Sequence, residues 1–453
     1  MNSVDPTTGD VFATYSETTA DEAARHIAKA GQLQLEWART PLSVRRDHML
    51  RFADILESRR DELAELMARE MGKPIAQGRG EADKCAWVCR YYADEAETIL
   101  ADTHIESGRT KSYVSYRPIG VILSVMPWNF PLWQVIRFLA PALMAGNGAI
   151  LKHASNVTGC ALAIDEMIVE AGFPDGLFRT VVVPSSGVAA MISHPGIAAV
   201  TLTGSDAAGR AVASAAGHAI KKTVLELGGS DAAIILEDAD LDLAVKACST
   251  SRLLNGGQSC IAAKRFVVHR EVADEFTAKL KEEFESYVVG NPLDEDAQIG
   301  PMARVDLRDE LHEQVKRSVA AGAHIVTGGS VPDGPGAFYP PTVLTNVREG
   351  MAAYHEELFG PVASIIVVAD EEEAIAVANS SEFGLGGSVF TRDIARGERI
   401  ARDRIEAGSC FVNAFVASDP RLPFGGVKAS GYGRELSHIG MTEFLNVKTV
   451  VIG

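Results

Sequence analysis

Val121-Ile122-Leu123-Ser124-Val125-Met126 runs straight into Pro127-Trp128-Asn129-Phe130-Pro131, and from Leu132 to Met144 the apolar residues return at helical spacing. A short apolar run stopped by proline and followed by a helical period reads as a buried strand feeding a helix. The same alternation continues with strands expected at 149–151, 178–183 and 198–203 and helices at 158–171, 186–192 and 209–217. Repeated strand–helix–strand units of this length form right-handed crossovers between parallel strands. They give an open doubly wound sheet with its ligand crevice at the carboxyl ends of the strands.

A second series begins after Gly228, with strands expected at 232–236, 265–269, 365–368, 387–391 and 409–413, a helix from Asp238, and another over 272–287. Upstream, apolar residues at three- and four-residue intervals between Thr19 and Gly72 predict two long helices, with a third through Tyr92 and Leu100. Two segments stand apart: 111–117 alternates as a half-buried strand, and 444–452 reads as a closing strand. The fold class is therefore α/β, with two doubly wound parallel-sheet domains, in keeping with a length of 453 residues.

Composition narrows the possible partners. A hydrophobic fraction of 47% and a charged fraction of 23% are those of a folded globular chain. The net charge of −17 repels phosphate backbones and anionic headgroups, which argues against nucleic acid and membrane surfaces as partners. A dinucleotide or an acidic substrate then needs local cations, and Lys152 and Arg137 are the candidates. Six cysteines without a dense framework, and a beginning with neither a basic segment nor an apolar run, lead us to expect a reduced, cytoplasmic setting. Cys85 and Cys89 lie four apart in a helical stretch without a second pair or a histidine cluster to complete a metal site, so no metal is expected.

Chemistry concentrates on Cys260, within Asn255-Gly256-Gly257-Gln258-Ser259-Cys260-Ile261-Ala262-Ala263-Lys264. A thiol on a polar, glycine-rich bend is open to an electrophile, unlike a thiol packed in an apolar core. Glu226, in Glu226-Leu227-Gly228-Gly229-Ser230, offers a base, and Asn129 offers an amide donor for an oxyanion. Lys152 and Ser155 sit at a strand end, where a doubly wound sheet meets the ribose of a dinucleotide. Gly204-Ser205 opens a helix whose free N–H groups can face a diphosphate. In Glu356-Glu357-Leu358-Phe359-Gly360-Pro361 a carboxylate can hold ribose hydroxyls while the ring packs on nicotinamide. Taken singly, each segment reads as well as a turn, a cap or a solvated charge.

Together these segments, with Pro423-Phe424-Gly425-Gly426-Val427-Lys428-Ala429-Ser430-Gly431-Tyr432-Gly433-Arg434-Glu435, resemble the aldehyde dehydrogenase superfamily over essentially the whole chain. The resemblance implies Cys260 as nucleophile, Glu226 as general base and Asn129 as oxyanion donor. It also implies cofactor contacts at Trp128, Lys152, Ser155, Gly204, Ser205, Leu227, Glu357 and Phe359. The implied division is a dinucleotide-binding domain of residues 1–105 and 119–227 and a catalytic domain of residues 228–422. An oligomerisation arm of residues 106–118 and 423–453 completes it and implies a homodimer or homotetramer.

Within the superfamily, Lys152-His153-Ala154-Ser155-Asn156 and Gly431-Tyr432-Gly433-Arg434-Glu435-Leu436-Ser437 are similar to bacterial succinate-semialdehyde dehydrogenases. That implies an aldehyde with a distal carboxylate as substrate, held by Arg137 with help from Ser418. A second arginine found in some relatives is replaced here by Leu254, with Arg252 as the nearest substitute. Ala262 stands where other relatives carry a second cysteine, so no local disulfide partner for Cys260 is available. Other ω-carboxy or uncharged aldehydes, transfer to coenzyme A, and a catalytically silent dinucleotide-binding protein remain as competing readings.

The cofactor preference turns on Ser155, where NAD-preferring relatives carry a glutamate that repels a 2′-phosphate. NADP is expected, with NAD possible. Ser155→Glu is expected to shift the ratio of kcat/KM for NADP over NAD toward NAD by about tenfold, the scale of one like-charge repulsion near a surface. Steady-state kinetics with both nucleotides check it, and a wild-type preference for NAD would refute the assignment.

Overall fold

The computed structural model describes residues 1–453 as two α/β units and a small antiparallel sheet. The first unit carries a six-stranded sheet in the order Gly431–Tyr432, Lys222–Glu226, Ile197–Thr203, Val121–Met126, Gly148–His153, Phe178–Thr180. All of its pairings are parallel except the edge strand Gly431–Tyr432. Chain order reverses beside Val121–Met126, so the crevice opens past the ends of that strand and Ile197–Thr203. Pro127-Trp128-Asn129 and Gly204-Ser205 are the residues that leave the sheet there.

Seven strands form the second sheet: His324–Thr327, Thr342–Thr345, Val362–Val368, Arg265–His269, Ala232–Ile235, Gly386–Phe390 and Ser409–Val412. It is parallel apart from the edge strand His324–Thr327. Both doubly wound sheets are thus present, and their central strands are buried along nearly their whole length, Val125 being half-buried, as continuous apolar runs require.

The helical N-terminal region differs from expectation in number. Three helices, Ala20–Trp37, Leu42–Ser58 and Arg60–Met71, replace the two predicted, and a hairpin of Asn2–Val4 with Val11–Thr14 precedes them. Pro41 opens one break, and Arg59 leaves helical geometry at the other while the apolar period carries on, which is why the sequence reads as continuous. The helix expected from Asp238 begins at Leu241, because the Asp240 carboxylate accepts from the Leu243 N–H and caps it. The strand expected over 178–183 ends at Thr180.

Ile75–Ile99 is the long helix on which the first core is built. Its Cys85, Ala86, Cys89 and Tyr92 pack with Phe52, Leu56 and Met67 from the preceding helices and with Leu139 and Leu143 of the helix Trp133–Met144. The arm is a three-stranded antiparallel sheet of Leu445–Ile452, Lys111–Pro118 and Thr103–His104. Of the 423–453 segment, Gly431–Tyr432 joins the six-stranded sheet beside Glu226 and not the arm.

Asn147 ties these parts together. Fully buried, it accepts from the N–H groups of Ile119 and Gly120 at 2.9 and 3.1 Å and donates to the Phe444 carbonyl at 2.9 Å. Removing it strands one buried and two half-buried backbone groups. Asn147→Ala is expected to destabilise the first unit by about 2–4 kcal/mol, read as a lower urea midpoint by tryptophan fluorescence.

Candidate active site

Cys260 stands between two cavities and contributes to the lining of both. Its loop is held in an unusual backbone path: Asn255, Gly256 and Gly257 have φ of 57°, 61° and 74°, all in the left-handed region. Asparagine and glycine adopt that region at least cost, and Gly257 has a second constraint, since a Cβ there would lie 2.3 Å from the Gly360 carbonyl oxygen. The Gln258 amide secures the turn by donating to the Asn255 carbonyl and accepting from the Ala303 N–H at 2.9 Å.

Asn129 meets this loop from the other sheet. Its Nδ2 donates to the Gln258 carbonyl at 3.1 Å, and its own carbonyl accepts from Asn255 Nδ2 at 2.7 Å and Lys73 Nζ at 3.1 Å. The amide donor and the thiol thus share one cavity wall. His153 fixes the same bend from below. Its Nδ1 accepts from the Ala154 N–H, its Nε2 lies 2.9 Å from the Pro131 carbonyl, and burial pushes the imidazole down to about 4, which keeps it neutral.

The first cavity, of about 260 Å³, is largely apolar and lined by Phe130, Trp133, Leu254, Ile261, Phe415 and Phe424, among others. Three cations reach its wall: Lys73, Lys84 and Arg137. Lys73 forms a buried ion pair with Glu81, whose other oxygen accepts from the N–H groups of Leu132 and Trp133 at the start of the helix Trp133–Met144. Arg137 is buried against Glu435, donates to Thr203 Oγ1 at 3.3 Å and lies 4.8 Å from the Phe424 ring centre. The expected carboxylate anchor therefore lines the cavity with its charge already balanced. Lys84 donates to Ser418 Oγ at 2.8 Å and has no carboxylate partner.

Arg252, the expected stand-in for the missing arginine, does not reach the cavity. It is fully buried and donates to the carbonyl oxygens of Gly257 and Ala263, so it braces the Cys260 loop, and Leu254 takes the lining position.

The second cavity, of about 510 Å³, occupies the crevice beyond the six-stranded sheet. Trp128, Gly204, Ser205, Leu227, Glu357 and Phe359 line it, as expected. Ser205 caps the helix Asp206–His218 by accepting from the Ala208 N–H, and the helix N-terminus faces the crevice. Glu357 accepts from the Gly229 N–H at 3.0 Å and pairs with Lys264 at 3.1 Å, while Trp128 and Phe359 meet edge to face at 5.7 Å. Lys152 and Ser155 stand outside the lining proper. Lys152 is nevertheless buried with no hydrogen-bond or ion-pair partner. A cation without a partner on a mostly buried side chain is what an anionic ligand would satisfy, so Lys152 fits the phosphate of a dinucleotide.

Glu226 ends its strand 2% exposed and outside both linings. Neither carboxylate oxygen has a hydrogen-bond partner, and burial with the nearby Glu435 charge raises its pKa well above the carboxylate range. Cys260 is shifted the same way: burial pushes its thiol up to about 12 against the pull of Lys264 and Arg137. Lys264 itself donates to the carbonyls of Ser259 and Cys260 at 2.9 and 2.6 Å.

Comparison with known proteins agrees with this geometry. The aldehyde dehydrogenase family model matches residues 1–450. The chain belongs to the aldehyde dehydrogenase family. Family relatives include the succinate-semialdehyde dehydrogenase [NADP(+)] of Mycobacterium avium, 49% identical over 454 residues, covering 99% of this chain and 96% of that one. A probable succinate-semialdehyde dehydrogenase [NADP(+)] of Synechocystis is also 49% identical, with 99% of both chains covered. Among solved structures, the succinic semialdehyde dehydrogenase of Streptococcus pyogenes in complex with NADP+ superposes with a TM-score of 0.97 at 38% identity, covering 100% of this chain and 99% of that one.

Sequence reasoning assigned no role to Lys73, Glu81, Lys84, Lys264 or Glu435. A signal existed for the helix Ile75–Ile99, where Gln77, Gly80, Glu81 and Lys84 recur at three- and four-residue spacing and so share one face. For Cys260, iodoacetamide labelling followed by peptide mass spectrometry is expected to give a rate that rises roughly tenfold per pH unit between about pH 7 and 9, because thiolate is the minor form throughout. A plateau below pH 8 would contradict a thiol raised by burial.

Proposed function

We propose that the protein oxidises succinate semialdehyde to succinate, with NADP as the preferred acceptor. The observation that carries this reading is the position of Cys260, between a crevice suited to a dinucleotide and an apolar cavity edged with cations. The relatives named above support the substrate and the cofactor.

In this reading Cys260 gives its proton to solvent water and its Sγ attacks the aldehyde carbon. The new alkoxide is held by the Asn129 amide and the Cys260 N–H, an effect of about 3–4 kcal/mol per donor in comparable sites. Bound NADP supplies the hydride acceptor. Loss of hydride from the tetrahedral carbon leaves a thioester on Cys260. Glu226, ionised once its side chain reaches the wetter cavity, then takes a proton from water; the hydroxide attacks the thioester carbon and the proton passes to the departing sulfur, which releases the carboxylic acid and the thiol. For that step the Glu226 side chain turns toward the cavity, a motion made easy by its lack of hydrogen-bond partners.

Lys152, Ser155, Ser205 and Glu357 would hold the nucleotide, with Trp128, Gly204, Leu227 and Phe359 shaping its bed. Residues 1–105 and 119–227 form the nucleotide-binding part and 228–422 the catalytic part. The arm sheet leaves Val447, Val451 and Ile452 exposed, which supports its pairing with another copy in a homodimer or homotetramer. No helix is long and apolar enough to cross a membrane. All six thiols are free, which supports a reducing cytoplasm as the working compartment.

The test is absorbance at 340 nm on mixing protein, NADP and succinate semialdehyde, with Cys260→Ala silent. Glu226→Gln is expected to retain a burst of about one equivalent of NADPH and then turn over about 10²–10⁴-fold more slowly, because only the hydrolytic step needs the base. A full steady-state rate in Glu226→Gln would remove the residue from that role.

A further inference from the structure

The cations around the substrate cavity are not equivalent. Lys73 is neutralised by Glu81, and Arg137 by Glu435, each within a fully buried pair. Lys84, on the same helix as Glu81 and one turn further on, has no carboxylate within ion-pair distance. Its ammonium donates to Ser418 Oγ at 2.8 Å and lies 4.4 Å from the centre of the Trp133 ring. A hydroxyl and a ring face leave an ammonium with unspent donors and an uncompensated charge, at the wall of a cavity that is otherwise mostly apolar. We propose that Lys84, with Ser418 beside it, is a specificity-determining residue that receives the distal carboxylate of the substrate in addition to Arg137, whose guanidinium is already engaged by Glu435.

This inference rests on the proposed oxidation of an aldehyde that bears a distal carboxylate. The partition between the two cations follows from charge balance. An incoming carboxylate at Arg137 must compete with Glu435 for a guanidinium already engaged, whereas at Lys84 it meets a cation without a rival. The ring of Trp133 and the aliphatic stem of Lys84 would pack on the methylenes between the two ends of the substrate.

The charged and titratable groups around Lys84 are Glu81 and Cys85 on its own helix, Arg137 on the helix Trp133–Met144, and Asp419 in the loop after Ser418. Glu81 is engaged by Lys73, and Asp419 pairs with Arg421 at 2.6 Å. Burial, followed by the Arg137 charge, brings the Lys84 ammonium down to about 8. The cation is therefore present at neutral pH and is lost as pH rises past that value. Carboxylate recognition should weaken in the same range.

The test compares kcat/KM for succinate semialdehyde and for butyraldehyde in wild type, Lys84→Met, Lys84→Gln and Lys84→Arg. Both substrates use the same thiol and the same base, so titration of Cys260 and Glu226 cancels in the ratio. The expected result is a preference for the acid aldehyde that falls about 100-fold in Lys84→Met and Lys84→Gln, carried by KM, and returns in part in Lys84→Arg. In wild type the preference should decline between about pH 7 and 10, and in Lys84→Arg it should stay flat. A preference retained by Lys84→Met, or equal losses on both aldehydes, overturns the inference and leaves the substrate reading standing. A wild-type preference that does not change up to about pH 10 overturns it as well, even if the Met and Gln variants fail to fold. A wild-type enzyme with no preference for the acid overturns the substrate reading and the inference together.

Discussion

The two α/β units meet through a reciprocal clasp: Asn129 donates its amide to the carbonyl of Gln258, and Asn255 returns a hydrogen bond to the carbonyl of Asn129. One partner leaves the end of a strand in the six-stranded sheet, and the other lies on the left-handed turn that leads to Cys260. Every chemical feature of the site depends on this register. It sets the Asn129 amide on the same cavity wall as the thiol, with Cys260 lining both cavities. Lys73 reinforces it from the helical layer by donating to the same Asn129 carbonyl.

The buried charges are arranged for position more than for stability. Taking an ion pair out of water costs several kcal/mol per ion, so Lys73–Glu81 and Arg137–Glu435 gain little over apolar replacements of the same volume. What they provide is direction. Glu81 receives two backbone N–H groups at the start of the helix Trp133–Met144, the helix from which Trp133 and Arg137 reach the apolar cavity. Lys264 joins the Cys260 loop to Glu357. Glu226 and Cys260, both shifted toward their neutral forms, sit among these fixed charges.

Much of the architecture was legible in the residues. The apolar runs 121–126 and 265–269 became central strands at the bounds read from the sequence, because a strand covered on both faces leaves a continuous apolar signature. The helical N-terminal region was less legible. Pro41 and Arg59 interrupt the helix backbone without interrupting the apolar period, and the period was the signal being read. Gly431–Tyr432 is shorter than any pattern can resolve, and its place beside Glu226 comes from pairing with a strand some two hundred residues earlier.

For the site, the sequence alone determined the reaction chemistry on offer. A thiol on a glycine-rich bend, a glutamate, an amide after a strand-ending proline, and a helix opening with Gly-Ser are local properties of local segments. Which charges are free was decided only by the tertiary structure. Arg137 has the right chemistry for a carboxylate, yet its partner Glu435 arrives from the other end of the chain, and Lys84 is left uncompensated because the carboxylate one turn before it turns to Lys73. Ionic strength of character is written in a residue, but its compensation depends on distance in space, and sequence separation carries no information about that.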